Sequence, residues 1–288
     1  MKSFEMWRLI DSGAGLASEN MAIDEAILKS CELGESPPTL HFYTWKIPAI
    51  SLGYFQDFSD TVKVNECLVK GIHVVRRITG GRAVVHHKDV SFSLIFPAKG
   101  GIIPPGISSS YRMISQGLIE GLRSLGIMAD ISDSRGFQNG SKKEERNLSA
   151  CFLTRIRFEV MVSGRKLLGF AQRRIGDWVL LQGTIMIDLD RSLWTDFLYY
   201  PDRLDSHEII DRLRSEITSV NEVLGKQEDI VLSMKKALLK GLSKVLGIRF
   251  AIQGLGFKEW TEVDRLASYK YRDLLEKRQD PPSQELYH

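Results

Sequence analysis

Two adjacent glycines set between runs of β-forming residues constrain this chain more than any other feature. They lie in Val74-Val75-Arg76-Arg77-Ile78-Thr79-Gly80-Gly81-Arg82-Ala83-Val84-Val85-His86-His87. Tandem glycines permit positive φ and let a ligand reach main-chain N–H groups with no Cβ in the way. Strand residues on both sides would hold those amides in place. An ordinary two-residue hairpin turn is one reading. The three arginines beside the turn favour another, because guanidinium groups and free amides together make a site for phosphate or carboxylate. The residues by themselves imply an anion-binding turn between strands.

Around this stretch the chain alternates short strands with helices in no strict order. Met6–Ile10 reads as a strand, and Gly13 to Gly15 as a lead into a helix over Ser18–Leu33. Ser18 is the expected cap and Gly34 the expected stop of that helix. Its apolar residues Met21, Ala22, Ala26, Ile27 and Leu28 share one side, with Asn20, Asp24 and Glu25 mostly off it. Acidic residues near a helix start compensate the dipole, so Asp24 and Glu25 carry no catalytic expectation. Thr39–Trp45 and Ala49–Tyr54 read as strands, Val62–Lys70 as a short helix, and Val90–Phe96 as a strand with one buried face. Tyr111, Ile114, Leu118, Leu122 and Leu125 recur at helical spacing. Residues 134–147 form a polar loop. Three strands then follow as an antiparallel meander with turns at Ser163-Gly164 and Gly176-Asp177. Helical periodicity returns over Ile209–Val223 and Ile230–Leu246.

The length of 288 residues fits one large domain or two modest ones. A net charge of +3, from 39 basic and 36 acidic residues, argues against a nucleic-acid binder. No apolar run approaches the ~20 residues of a membrane-spanning helix. Six scattered histidines offer no metal-ligand spacing. Three scattered cysteines give neither a disulfide framework nor a zinc site, so a reducing cytoplasm is the expected home. Cys31 and Cys67 fall in expected helices and read as buried hydrophobes. Cys151 follows the polar loop and precedes a strand, where a side chain can be held rigidly at a cleft edge. A lysine just past a hairpin turn, such as Lys166, is most often solvated. His86 and His87 are adjacent, so only one of them can face a site.

The segment Arg76–His86 resembles the RRxTGGRAVxH signature of the lipoate-protein ligase and octanoyltransferase family, within the biotin/lipoate ligase superfamily. A second stretch, Gly164-Arg165-Lys166-Leu167-Leu168-Gly169-Phe170-Ala171-Gln172, is similar to the family motif GRKxxGSAQ. A third, Ser149-Ala150-Cys151-Phe152, resembles the Ala-Cys-Phe context in which the octanoyltransferase branch carries its acyl group as a thioester. The resemblance covers roughly residues 5 to 190. It implies an α+β fold, with a mixed β-sheet, a smaller second sheet and flanking helices. The implied catalytic domain runs over 1–250 (core 5–190, helical part 191–250), with a C-terminal extension at 251–288.

By the same resemblance, Cys151 is the expected nucleophile. Lys166 would favour its thiolate and stabilise charge on the tetrahedral intermediate. Arg76, Thr79, Gly80, Gly81, Arg82, His86, Gly169, Ala171 and Gln172 are the expected substrate-binding residues. The implied donor is octanoyl-acyl carrier protein. The implied acceptor is a lipoyl domain, such as the glycine cleavage H protein or a 2-oxoacid dehydrogenase E2 subunit, with no cofactor, nucleic acid or membrane involved. Two departures stand out. Phe170 replaces a small serine and would reshape the acyl pocket. Gln182-Gly183 lacks the histidine that often separates these residues in the transferase branch. Two alternatives stay open: an ATP-dependent ligase using Arg76, Arg82 and Lys166 on phosphate and carboxylate, and a non-catalytic protein that only recognises carrier domains.

Overall fold

The structure, a computed structural model, describes residues 6–132, 159–200, 205–227 and 230–279. An eight-stranded mixed sheet has the order β11-β1-β2-β6-β10-β9-β8-β7. Its strands are β1 (Met6–Gly15), β2 (Thr39–Trp45), β6 (Asp89–Pro97), β7 (Asp130–Ile131), β8 (Val160–Val162), β9 (Arg165–Ile175), β10 (Trp178–Met186) and β11 (Arg249–Ile252). β11, β1 and β2 run parallel to one another, and the remaining neighbours are antiparallel. A parallel pair needs a crossover. Helix α1 (Ala17–Glu32) supplies it between β1 and β2. The meander appears as expected in β8-β9-β10. Ser163 (φ 49) and Gly164 (φ 77) both take the left-handed conformation that a type I′ hairpin turn demands.

The smaller sheet has the order β4-β3-β5, from β3 (Ala49–Leu52), β4 (His73–Arg76) and β5 (Val84–His86). β3 pairs with β4 in parallel and with β5 antiparallel. The two strands beside the glycine turn are therefore not partners, and the ordinary hairpin reading is excluded. The turn passes across the end of β3 instead. α2 (Val64–Lys70) leads into β4.

On one side of the large sheet, α3 (Ile107–Ser124) packs against α7 (Ile230–Leu246) over the main core of Phe92, Phe96, Leu118, Leu181 and Leu238. The two helices touch through glycines. A Cβ on Gly241 would fall 2.2 Å from the Gly117 carbonyl, and one on Gly121 would fall 2.5 Å from that of Ala237. The expected helix over Ile209–Val223 is two helices, α5 (Ser206–Glu216) and α6 (Val220–Leu224), each with its own side-chain cap, Asp205 and Ser219. A shorter α4 (Ser192–Phe197) precedes them.

On the other side of the sheet lies α1, itself covered by α8 (Phe257–Tyr269). Burial from two directions corrects the reading of α1 as a helix with a polar outer face. Asn20, Asp24 and Glu25 are all buried. Leu16, not Ser18, is its N-cap. Beyond residue 250, β11 completes the sheet beside β1, α8 packs on α1, and α9 (Leu274–Gln279) contacts β4. Arg8 on β1 forms a two-pronged buried ion pair with Glu259 on α8, at 2.9 and 2.6 Å. No helix among the described residues is long and apolar enough to cross a membrane.

Candidate active site

The glycine turn is fixed from beneath by Arg77. This buried guanidinium donates to the Ser51 carbonyl (2.7 Å), the Gly80 carbonyl (2.8 Å) and the Arg82 carbonyl (2.7 Å). Gly81 takes φ 88, and its carbonyl lies so close to Gly53 that a Cβ there would sit 1.8 Å away. That contact requires glycine at position 53. On the Cβ side of Gly80 there is open space, so its backbone can be approached by a ligand. Arg76 ties down the neighbouring loop through the carbonyls of Gly53, Tyr54 and Gln56. Thr79 is fully buried, with its hydroxyl donating to Gln182 Oε1 at 2.6 Å.

Beside the turn is a partly open cavity of about 40 Å³, walled by Met21 of α1, Trp45, Ser51, Arg77 and His86, and by Gly169, Phe170, Ala171 and Gln182 of β9 and β10. His86 is buried and His87 exposed, as strand alternation requires. The His86 ring stacks on Trp45 with centroids 3.8 Å apart. Its Nδ1 meets Asp89 Oδ2 at 3.1 Å and its Nε2 meets Ser51 Oγ at 2.8 Å. Arg77 also donates to Ser51 Oγ, at 3.1 Å. A carboxylate only accepts, so Nδ1 carries a proton and donates it to Asp89. The ring is held between Asp89 and Ser51 at the cavity wall.

Asp24 is the second anchor. It is 1% exposed and accepts from Ser93 Oγ (2.5 Å), Gln182 Nε2 (2.7 Å), His41 Nδ1 (2.8 Å) and Tyr43 Oη (3.3 Å). Burial, then the negative charges of Asp24 and Asp89, push the Tyr43 hydroxyl well above its ordinary pKa, so it stays a donor. A carboxylate only accepts, so Asp24 fixes the Gln182 amide with its nitrogen inward and its oxygen toward Thr79. The expectation that Asp24 merely compensates the helix dipole is corrected by this network. Asn20 and Asp24, four residues apart on one helix face and both polar, were the signal available in the sequence. Asp89, immediately before an alternating strand, was another.

Lys166 is buried in β9 and its ammonium forms an ion pair with Glu159, a residue that the motifs did not single out. The expectation of a solvated lysine therefore does not hold. Its neighbour Arg165 turns instead to Glu222, at 3.1 Å. Cys31 and Cys67 are buried, and burial pushes both thiols up to about 12. Thiols held so high carry almost no thiolate at neutral pH. Cys151 lies outside the described residues. Among the expected binding residues, His86, Gly169 and Ala171 line the cavity. Thr79, Gly80, Gly81 and Arg82 form the turn beside it, and Arg76 supports the loop next to that turn. Gln172 falls on the opposite side of β9, where its Oε1 meets Ser110 Oγ of α3 at 3.5 Å. Among the described residues, no cluster of histidine, cysteine and carboxylate side chains is arranged to hold a metal ion.

Residues 17–243 match the family model for the lipoyl protein ligase A/B catalytic domain. Similar curated proteins include the octanoyltransferase LipM of Symbiobacterium thermophilum, 34% identical over 92% of this chain and 95% of that one. The octanoyltransferase LipM of Staphylococcus aureus is also 34% identical, over 93% and 96%. Among solved structures, a lipoate-protein ligase A bound with ATP superposes with a TM-score of 0.71 at 22% identity, covering 93% of this chain and 95% of that one. A bipartite lipoate protein ligase from Thermoplasma acidophilum gives 0.73 at 23%, covering 93% of each. At that identity the likeness concerns the fold.

Proposed function

This chain belongs to the lipoyl protein ligase A/B catalytic domain family, and from that membership we propose that it is an octanoyltransferase acting in protein lipoylation. The observation that carries the reading is identity of about a third with proteins named octanoyltransferase, along nearly the whole of both chains. The solved lipoate-protein ligases share the fold at only 22–23% identity, so the ligase reading is not favoured.

In this reading the donor is an octanoyl thioester on an acyl carrier protein and the acceptor is a lysine of a lipoyl domain. The Cys151 thiolate attacks the donor carbonyl. A new carbon–sulfur bond forms, and the carrier thiol leaves after taking up a proton. The acceptor amine then attacks the Cys151 thioester, an amide forms, and Cys151 is released as thiolate as the amine loses its proton. The thioester already holds the free energy that an adenylate would otherwise provide, so no nucleotide is consumed. Two things support Cys151 as the carrier of the acyl group: its Ala-Cys-Phe context, and the burial that makes Cys31 and Cys67 poor nucleophiles. Lys166 supplies positive charge near the reacting carbonyl, and the glycine turn offers main-chain donors beside it. A reducing cytoplasm fits the two described cysteines, which are free thiols.

The test is incubation with octanoyl-acyl carrier protein, without ATP or acceptor, followed by intact-mass measurement. The wild type gains one octanoyl group and loses it when a lipoyl domain is added, while Cys151→Ser supports no turnover. Transfer that requires ATP and free octanoate, with full activity in Cys151→Ser, overturns the reading.

A further inference from the structure

From Asp24 a second chain of hydrogen bonds runs away from the glycine turn, out to the surface. His41 of β2 is wholly buried. Its Nδ1 meets Asp24 Oδ1 at 2.8 Å, and its Nε2 meets Ser12 Oγ, also at 2.8 Å. A carboxylate only accepts, so Nδ1 carries a proton, and in the uncharged ring Nε2 is then the acceptor for the Ser12 hydroxyl. A hydroxyl, a base and an orienting carboxylate thus stand in sequence, each within hydrogen-bond reach of the next. The His41 ring also stacks on Tyr43, with centroids 4.8 Å apart. Ser51, His86 and Asp89 repeat the residue types, but there the serine is buried and its oxygen already accepts from Arg77. That hydrogen bond draws on the lone pairs an attack would need. Ser12, by contrast, is exposed.

The backbone aims Ser12. Asp11 lies opposite Phe42 and Ala14 opposite Thr44, so β1 holds one residue more than β2 between them, and Gly13 takes φ 70 in the bulge. Ser12 opens on a pocket of about 560 Å³ between the start of α1 and helix α8, a size suited to a small molecule. Ile23, Trp260, Val263 and Ala267 give that pocket an apolar wall. The first turn of α1 forms another. Its N-cap, Leu16, offers no side-chain acceptor, and the Leu16 amide is taken by Glu19 at 2.8 Å. The Ala17 and Ser18 amides that follow stand at the positive end of the helix, where a developing negative charge is favoured.

We propose that Ser12 is a second nucleophile, with His41 as its base and Asp24 as a positioning residue, and that the pocket takes carboxylic thioesters and aryl esters. Ser12 Oγ attacks the carbonyl carbon and its proton passes to His41 Nε2. The carbon–sulfur or carbon–oxygen bond then breaks, and the thiolate or phenolate leaves with the electron pair. His41 lies beneath Ser12, out of contact with solvent, so it cannot hand its proton to a departing amine. Amides, which need that proton, are therefore not substrates. In the second step water adds to the acyl-serine and gives one proton to solvent, while Ser12 Oγ leaves with the proton held on His41. His41, already protonated and beneath the serine, gives that water no help. Hydrolysis is thus the slower step, and the acyl group accumulates on Ser12.

The experiment uses Cys151→Ala, so that Cys151 cannot react, with p-nitrophenyl acetate near neutral pH. The expected result is a burst of about one equivalent of p-nitrophenolate followed by slower turnover, with the acetyl group located on Ser12 by peptide mass mapping. Adding Ser12→Ala should abolish the burst, and adding Ser18→Ala, a second serine of the pocket, should leave it unchanged. His41→Asn keeps a donor for Asp24 but removes the base, and should slow the burst ~100-fold or more. If His41→Asn does not fold, Ser12→Ala, a change at an exposed side chain, still decides the matter. The corresponding amide, p-nitroacetanilide, should not react. An acetyl group on any other residue, a burst that survives Ser12→Ala, an equal rate in folded His41→Asn, or equal reaction of the amide would overturn the proposal.

Discussion

Single residues at the cavity do their work through partners that the fold has buried with them. Lys166 and Glu159 are both almost fully buried and paired. Lys166→Met thus has two consequences: loss of the charge that the proposed mechanism sets near the reacting carbonyl, and a Glu159 carboxylate stranded out of water. We expect activity to fall ~100-fold or more and stability to fall by about 3–5 kcal/mol. Adding Glu159→Gln should restore much of the stability and none of the activity. Arg165→Ala should cost little, since its partner Glu222 is partly exposed and keeps Arg191 at 2.7 Å. Similar losses from both single substitutions would contradict the geometry, as read by thermal denaturation and kcat/KM. For Asp24→Asn, the asparagine NH₂ can meet Gln182 only if that amide turns over, which deprives Thr79 of its acceptor. Asp24→Asn and Thr79→Val should therefore be markedly non-additive in kcat/KM, and simple additivity would separate Asp24 from the turn. In the proposed reaction the acyl chain enters the cavity, and Phe170 forms part of its wall. A cavity of about 40 Å³ is well below the ~150 Å³ that holds a six-carbon ring elsewhere. Phe170→Ser should shift preference toward longer acyl groups in a competition between C8 and C12 donors, and an unchanged ratio would clear Phe170 of that role.

At the scale of elements, helix α8 adds ion pairs to the apolar contacts of Val263 and Leu266: Arg8–Glu259 to β1 and Lys29–Glu262 to α1. Burial pushes the Glu259 carboxyl up, but hydrogen bonds from Arg8 and from the Gly256 amide outweigh it and bring it below its ordinary value. Glu262 is lowered to about 2, chiefly by the hydrogen bonds from Arg265 and then, against a burial penalty, by Lys29. Carboxyls lowered on folding contribute stability that is complete above the unfolded value of 4.5 and lost as pH falls toward about 2. Acidification through that window should release α8 before the main core unfolds. The half-exposed Trp260 on the same helix reports this by fluorescence. A single transition coincident with far-UV loss would show that α8 is held by its apolar contacts instead. Elements with one decisive local signal were legible in the sequence. Ile230–Leu246 has an unbroken apolar stripe, and Ser163-Gly164 supplies the two left-handed residues of its turn. The break at Ile217–Ser219 was hidden because apolar periodicity continues across it, and only the cap at Ser219 marks it. The polar residues of α1 misled for a different reason. Periodicity reports one packing face, and α1 has two.

Across the whole molecule, the glycine turn, β9 and Lys166 were all visible as motifs, while their supports came from far away in the chain. Asp24, Asp89 and Glu159 each lie alone among apolar or polar neighbours, and nothing local says which other strand will meet them. The same distance governs the sheet edge. β1 is paired on one side with β11, and Arg8 on β1 is neutralised by Glu259, 251 residues later. On the ribosome, β1 is made well over two hundred residues before its outer partner β11. Through most of synthesis β1 has an open parallel edge and a cation that lacks its final neighbour. Edges of that kind invite pairing between chains. A chain released after Leu246 should therefore collect in aggregates, although every residue of the cavity is already present in it. β11 and α8 act as a late clasp on β1, so termination before them should remove the protein from the soluble pool rather than leave a weakened enzyme.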